Sequence, residues 1–181
     1  MTKSKLMPLL PYIGIPIIGV AFYFICAWRT DLFTVLLGEM LLLSGYVATV
    51  FDIKVKKIPN KLVLAMMAAW VLVMMPKLLL DTEVALVMLK DAGWGFLAGG
   101  GLFFLIYLIS RKGLGGGDVK FMAVAGLYLG FGGVMTSMLY GSILVGLTGL
   151  ILLLLKKVGP KDTLPLAPFL YAGILVTIFY G

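Results

Sequence analysis

The sequence predicts an all-α, polytopic membrane helix bundle of about seven transmembrane helices, with roughly six to eight possible, the N-terminus inside and the C-terminus outside. Three observations lead there. Hydrophobic residues make up 62% of the chain and charged ones 13%, with a mean hydropathy of +1.12, a balance that does not describe a water-soluble domain. The apolar residues form long runs, and at about 20 residues per crossing they fill a chain of 181 residues, leaving no room for a separate soluble domain. Lysine and arginine collect on alternate connections, as they do where one side of the bundle faces the cytoplasm.

Seven segments follow in order, and together they make residues 1–181 a single membrane-embedded domain. Residues 8–28 come after Met-Thr-Lys-Ser-Lys and look like the apolar part of a signal peptide, but no small-residue cleavage site closes the run, so a helix carrying the single cysteine, Cys26, is expected. Residues 32–51 form the second segment. Ile58-Pro59-Asn60 ends its helix, because the residue before a proline is pushed out of the α region, and Asn60 is placed to cap the third segment, 61–76. Residues 77–91 are too charged for a crossing and apolar enough to lie along the interface as an amphipathic helix. Segments 92–110, 119–137, 139–156 and 164–180 complete the bundle, with an almost loopless turn near Met138 to Tyr140. Gly95 with Gly99, and Gly141, Gly146 and Gly149, offer small faces for close helix contacts.

Charge supports that order. Lys3 and Lys5; Lys54, Lys56, Lys57 and Lys61; Arg111, Lys112 and Lys120; and Lys156, Lys157 and Lys161 fall on alternate connections. The intervening ones carry mixed charge, such as Arg29 with Asp31, and Lys77 with Asp81 and Glu83. The net charge of +7 therefore reads as topology and contact with anionic lipid headgroups, with no nucleic-acid site.

Against this background Asp52 and Asp118 stand out. Asp52 closes the apolar run that starts at Tyr46, and Asp118 follows Gly115-Gly116-Gly117 at the head of another. An ionisable group at the edge of an apolar span is expensive and marks a functional candidate. The predicted topology brings both to the same boundary. Each has an ordinary structural reading, Asp52 as an interfacial charge beside Lys54, Lys56 and Lys57, and Asp118 as a helix cap. The glycine run lacks the Lys-Ser/Thr of a phosphate-binding P-loop. The chain contains no histidine, which excludes Ser-His hydrolysis, histidine-held zinc and the His-Glu-x-x-His pattern. A carboxylate pair is the chemistry left, and no metal or other cofactor is expected.

Three stretches resemble one family, the type IV prepilin peptidases, membrane aspartic proteases of the Gly-x-Gly-Asp type. Asp52-Ile-Lys-Val-Lys-Lys-Ile-Pro59-Asn60 resembles its first catalytic Asp with the basic stretch and Ile-Pro-Asn that follow. Gly113-Leu-Gly115-Gly116-Gly117-Asp118-Val-Lys120 resembles its second site. Leu164-Pro165-Leu166-Ala167-Pro168-Phe169 resembles its late Pro-Phe-Gly-Pro-Phe element, with Leu166 for Phe and Ala167 for Gly. The core of the resemblance covers 32–180, with 8–28 as an extra helix. It implies a catalytic Asp52 and Asp118, with Gly115, Gly116, Gly117, Lys120, Pro59, Asn60, Pro165 and Pro168 shaping the site. It implies cleavage of a short basic leader from a prepilin-like protein, at the cytoplasmic face of the inner (plasma) membrane, by a water activated between two carboxylates that share one proton. The expected partners are that substrate and membrane lipids; oligomeric state is not implied.

The larger family members carry an N-methyltransferase region between their first two helices, whereas only Arg29, Thr30 and Asp31 separate those segments here. The chain thus resembles the compact peptidases of tight-adherence (Flp) pili. Two alternatives remain open on the residues. Presenilin-like and signal-peptide-peptidase-like intramembrane proteases also use Gly-x-Gly-Asp with a Pro-Ala-Leu element. An ion-coupled transporter can also carry paired membrane carboxylates and glycine-broken helices, although no inverted repeat is visible.

Overall fold

The computed structural model describes residues 31–110, 114–157, 159 and 164–180. Five helices account for the regular structure among the described residues: α1 (Leu32–Val55), α2 (Asn60–Leu80), α3 (Thr82–Ile109), α4 (Gly116–Leu154) and α5 (Ala167–Tyr180). The all-α expectation corresponds to this architecture, but the expected count of about seven does not. Four of the helices are long and apolar enough to cross a membrane, and α5, with 14 residues, is shorter. The expected helix 8–28, with Cys26, lies outside the described residues, as does Gly113.

Two local features depart from the expected segments, and the second of them also lowers the count. Segments 61–76 and 92–110 are each longer than the sequence suggests, because 77–91 does not form an interfacial helix of its own. Pro76 sits inside α2, where it removes one backbone hydrogen bond without forcing the helix to end. The chain then turns on Asp81 alone, whose side chain accepts the Val84 N–H at 3.4 Å and starts α3. The charges that argued for an interfacial segment are used locally: Lys77 reaches Asp31 at 3.5 Å and Asp81 at 3.9 Å and lies 5.0 Å from the centre of the Phe33 ring. They fasten the start of α1 to the joint between α2 and α3.

The second feature is Gly130. Segments 119–137 and 139–156 belong to one 39-residue element, interrupted at Gly130 (φ 68°, ψ −176°) instead of near Met138. A methyl group built on Gly99 would lie 3.0 Å from Val134 Cγ2 and overlap the Met122 carbonyl. In an unbroken helix those two residues would be about 18 Å apart. The chain therefore folds back at Gly130, and residues 131–154 return alongside 116–129. Asp91 of α3 secures the turn: its Oδ1 accepts the Phe131 N–H at 3.1 Å, serving as a cap supplied from a neighbouring helix.

Lipid is as apolar as leucine, so close packing and internal hydrogen bonds hold these helices together more than water exclusion does. Gly95 of α3 and Gly126 of α4 touch backbone to backbone; any Cβ at either position would overlap the other chain segment. Tyr128 donates its hydroxyl to the Met66 carbonyl at 2.6 Å, tying α4 to α2. Phe121, Leu41, Leu42, Met122, Leu170 and Ile174 fill the centre. Gly141 packs closely on α5 as expected, whereas Gly146 meets no neighbour among the described residues.

Gly130 adopts a backbone conformation that side chains resist, and an added methyl would run into the Asp91 carboxylate. Gly130→Ala is expected to destabilise the protein by about 2–4 kcal/mol. Asp91→Ala removes only the cap and should cost about 1 kcal/mol. Thermal unfolding in detergent measures both, and an unchanged midpoint for Gly130→Ala would contradict the turn.

Candidate active site

The site is built where the end of α1, the start of α2, the start of α4 and the start of α5 meet. Asp52 lies in the last turn of α1, and the helix closes on Lys56, which adopts a left-handed conformation (φ 52°) so that its N–H reaches the Asp52 carbonyl at 2.8 Å. The Ile58-Pro59-Asn60 turn follows. Pro59 is the N-cap of α2 and Asn60 its first helical residue, so Asn60 does not cap the helix as the sequence suggested. Its side-chain oxygen instead accepts a hydrogen bond from Lys120 Nζ at 3.0 Å.

Gly115 is the N-cap of α4, which places Asp118 at the third helical position. The Asp118 N–H donates to the Gly115 carbonyl at 3.1 Å, and Asp118 Oδ2 leans back over Gly115 so closely that a Cβ there would come within 2.8 Å of it. Gly117 lies against Ile58, whose Cβ and N would each be 3.2 Å from an added methyl group. The glycines thus let the two motif loops approach each other backbone to backbone. Ile58, buried at 7% exposure, is the wedge between them.

Both carboxylates are buried, Asp52 at 5% and Asp118 at 7% exposure. They line one cavity of ≈ 400 Å³, together with Lys56, Lys57, Ile58, Asn60, the three glycines 115–117 and Lys120. Their surroundings differ. Asp52 Oδ2 accepts the backbone N–H of Ala167 at 2.9 Å, so the carboxylate caps the start of α5 from across the bundle. Asp118 Oδ1 is buried with no hydrogen-bond partner among the described residues. A buried polar atom left in that state marks a place where a water or substrate group fits.

The late proline element explains the Asp52 contact. Pro165 precedes α5 and Pro168 stands in its first turn, where a missing N–H leaves no orphan donor. The Phe169 and Leu170 amides donate to the Leu166 carbonyl at 3.0 and 3.1 Å. The Ala167 amide is the donor that remains, and it points at Asp52. Sequence reasoning placed Pro165 and Pro168 near the site but missed this amide, which no side chain announces. It also missed Lys56 and Lys57 as cavity walls. Lys120, expected among the residues that shape the site, bonds to Asn60.

Residues 39–150 match the type IV leader peptidase family, more than half of the chain and both aspartates. The chain belongs to that family. It is 32% identical over 139 residues to a prepilin leader peptidase/N-methyltransferase of Bacillus subtilis (strain 168), covering 75% of this chain and 52% of that protein. It is 27% identical over 169 residues to the enzyme of the same name from Stutzerimonas stutzeri, covering 90% and 54%. Leader peptidase HopD of Escherichia coli is 38% identical over 98 residues, covering 47% and 59%. The chain spans about half the length of the first two of these relatives. No solved structure matches it. As a leader peptidase family member, it carries Asp52 and Asp118 within the matched stretch and the α5 amide beyond it.

Proposed function

We propose that this chain is a membrane aspartic endopeptidase that removes the short basic leader from a prepilin-like protein. The observation that carries the reading is the convergence of two buried carboxylates, Asp52 and Asp118, from separate motifs, on one cavity. Family membership and the names of the relatives support it. In the proposed reaction one carboxylate takes a proton from water as the oxygen attacks the scissile carbonyl carbon, and the other donates its proton to the carbonyl oxygen. Collapse of the tetrahedral adduct then breaks the C–N bond, with a proton passed to the leaving amine.

The cavity end is proposed to face the cytoplasm in the plasma membrane. Lys54, Lys56, Lys57, Lys61 and Lys120 gather there, while Asp31, Lys77, Asp81 and Glu83 mix at the joint of α1, α2 and α3. A substrate whose leader stays in the cytoplasm then presents its scissile bond at the cavity mouth. The compact form, similar to tight-adherence peptidases and without a methyltransferase region, rests on the short 29–31 link, and methylation of the product would fall to another protein.

Purified protein in liposomes, incubated with prepilin-like substrates, tests this reading by mass spectrometry. A single cut between the basic leader and the apolar segment is expected; no cut, or cuts within the apolar segment, would overturn it. With no histidine and a single cysteine in the sequence, activity should survive strong chelators, and Cys26→Ala should be neutral. Loss of cleavage with EDTA and its return with a divalent metal would contradict the carboxylate mechanism.

A further inference from the structure

We infer that a groove between α2 and α3, floored by α4, receives the first two turns of the substrate's apolar helix after the scissile bond. This rests on the proposed peptidase reading and assigns that reaction a surface. The groove has a volume of ≈ 380 Å³, and its walls are Val63, Leu64 and Met67 of α2 and Phe96 of α3, over Ala123 and Val124. Its head is formed by Asn60 and Lys120, the hydrogen-bonded pair that also lines the carboxylate cavity.

That shared pair makes the groove a continuation of the site. From Asn60 to Met67 along α2 is about 10 Å, the length of roughly seven helical residues. An apolar helix lying there places the peptide bond just before it beside Asn60 and Lys120, at the entrance to the cavity holding Asp52 and Asp118. The lining is chemically suited to such an occupant: apolar along its length, polar only at the head. The second apolar groove, between α1 and α2, is lined by residues such as Met40, Ser44, Val47 and Met66 and shares no residue with the carboxylate cavity. A helix seated there is not led to the aspartates. Both grooves are apolar enough for a lipid tail, but of the two only the first ends on residues shared with the polar cavity.

Photocrosslinking separates these cases. Full-length protein carrying Met67→p-benzoylphenylalanine, or Val47→p-benzoylphenylalanine as a comparison, is placed in liposomes with a prepilin-like substrate and illuminated, and cleavage is followed in parallel. Position 67 should crosslink to the first seven or so residues after the cut, and position 47 should not. Leu64→Trp, which fills a wall that is 64% exposed, should raise KM about tenfold for substrate with its whole apolar segment. It should leave unchanged the cleavage of a peptide ending three residues after the cut. Crosslinks from position 47 alone, or from position 67 to lipid alone, with cleavage intact would overturn the groove while leaving the peptidase reading standing. Absence of cleavage by the unsubstituted protein would remove both.

Discussion

Asp118→Asn and Asp52→Asn are each expected to lower the cleavage rate by at least about 10³-fold while the protein inserts and folds. The effect follows from what each carboxylate contributes. Asparagine keeps the shape and a hydrogen-bonding oxygen but neither takes nor gives a proton at neutral pH, so the water is not activated or the leaving amine is not protonated. At Asp52 the amide oxygen still accepts the Ala167 N–H, so α5 keeps its cap and the bundle its form. At Asp118 the substitution replaces a carboxylate whose Oδ1 has no partner among the described residues, so the folded state loses no hydrogen bond from that atom. Rates are compared at equal amounts of folded protein, measured by size exclusion and thermal unfolding. A variant that cuts at a near wild-type rate would remove its aspartate from the reaction.

Ala167→Pro carries the second large effect. Proline suits the backbone of a first helical position, but its ring carbon takes the place of the amide hydrogen that points at Asp52. The substitution deletes the amide that holds Asp52 Oδ2 at 2.9 Å. A lost hydrogen bond to a charged group amounts to about 1.5–3 kcal/mol, and the ring carbon also displaces the carboxylate from its place. Cleavage should fall about 10- to 100-fold, mainly in kcat. Ala167→Ser, which retains the amide and adds one atom, is the comparison and should keep most activity. Equal activity in both variants would show that the α5 amide does not position Asp52.

The parts of the fold that the sequence disclosed were those with a side-chain signature. Apolar runs located α1 to α4, and the motif glycines and aspartates located the site, because a carboxylate at the edge of an apolar span and a glycine run before it are written in residue types. The Ala167 amide was invisible for the opposite reason: every non-proline residue has one, and only the geometry of the Pro165–Pro168 turn selects it. Asp91 was assigned to an interfacial segment by its charge, whereas it caps Phe131 across α3 and α4, a contact between residues 40 positions apart. The break at Gly130 did leave a trace, since Gly130-Phe-Gly132-Gly133 concentrates glycine eight residues ahead of the turn expected near Met138. An apolar surround made that trace easy to pass over, because helices buried in lipid show no periodicity to mark where one ends. The count of seven failed at that place, and the separate reading of residues 77–91 failed because paired charges were mistaken for an exposed face.

If Asp52 and Asp118 act as one unit, the rate of the double variant shows it. Single-turnover cleavage, with enzyme in excess over substrate and followed for hours, is measured for wild type, Asp52→Asn, Asp118→Asn and the double variant. Groups that share one reaction step lose their effect together, so removing the second adds little once the first is gone. The double variant should therefore be no more than a few-fold slower than the slower single variant. Losses that multiply, with the double variant slower by the product of the two single effects, would contradict a shared carboxylate pair.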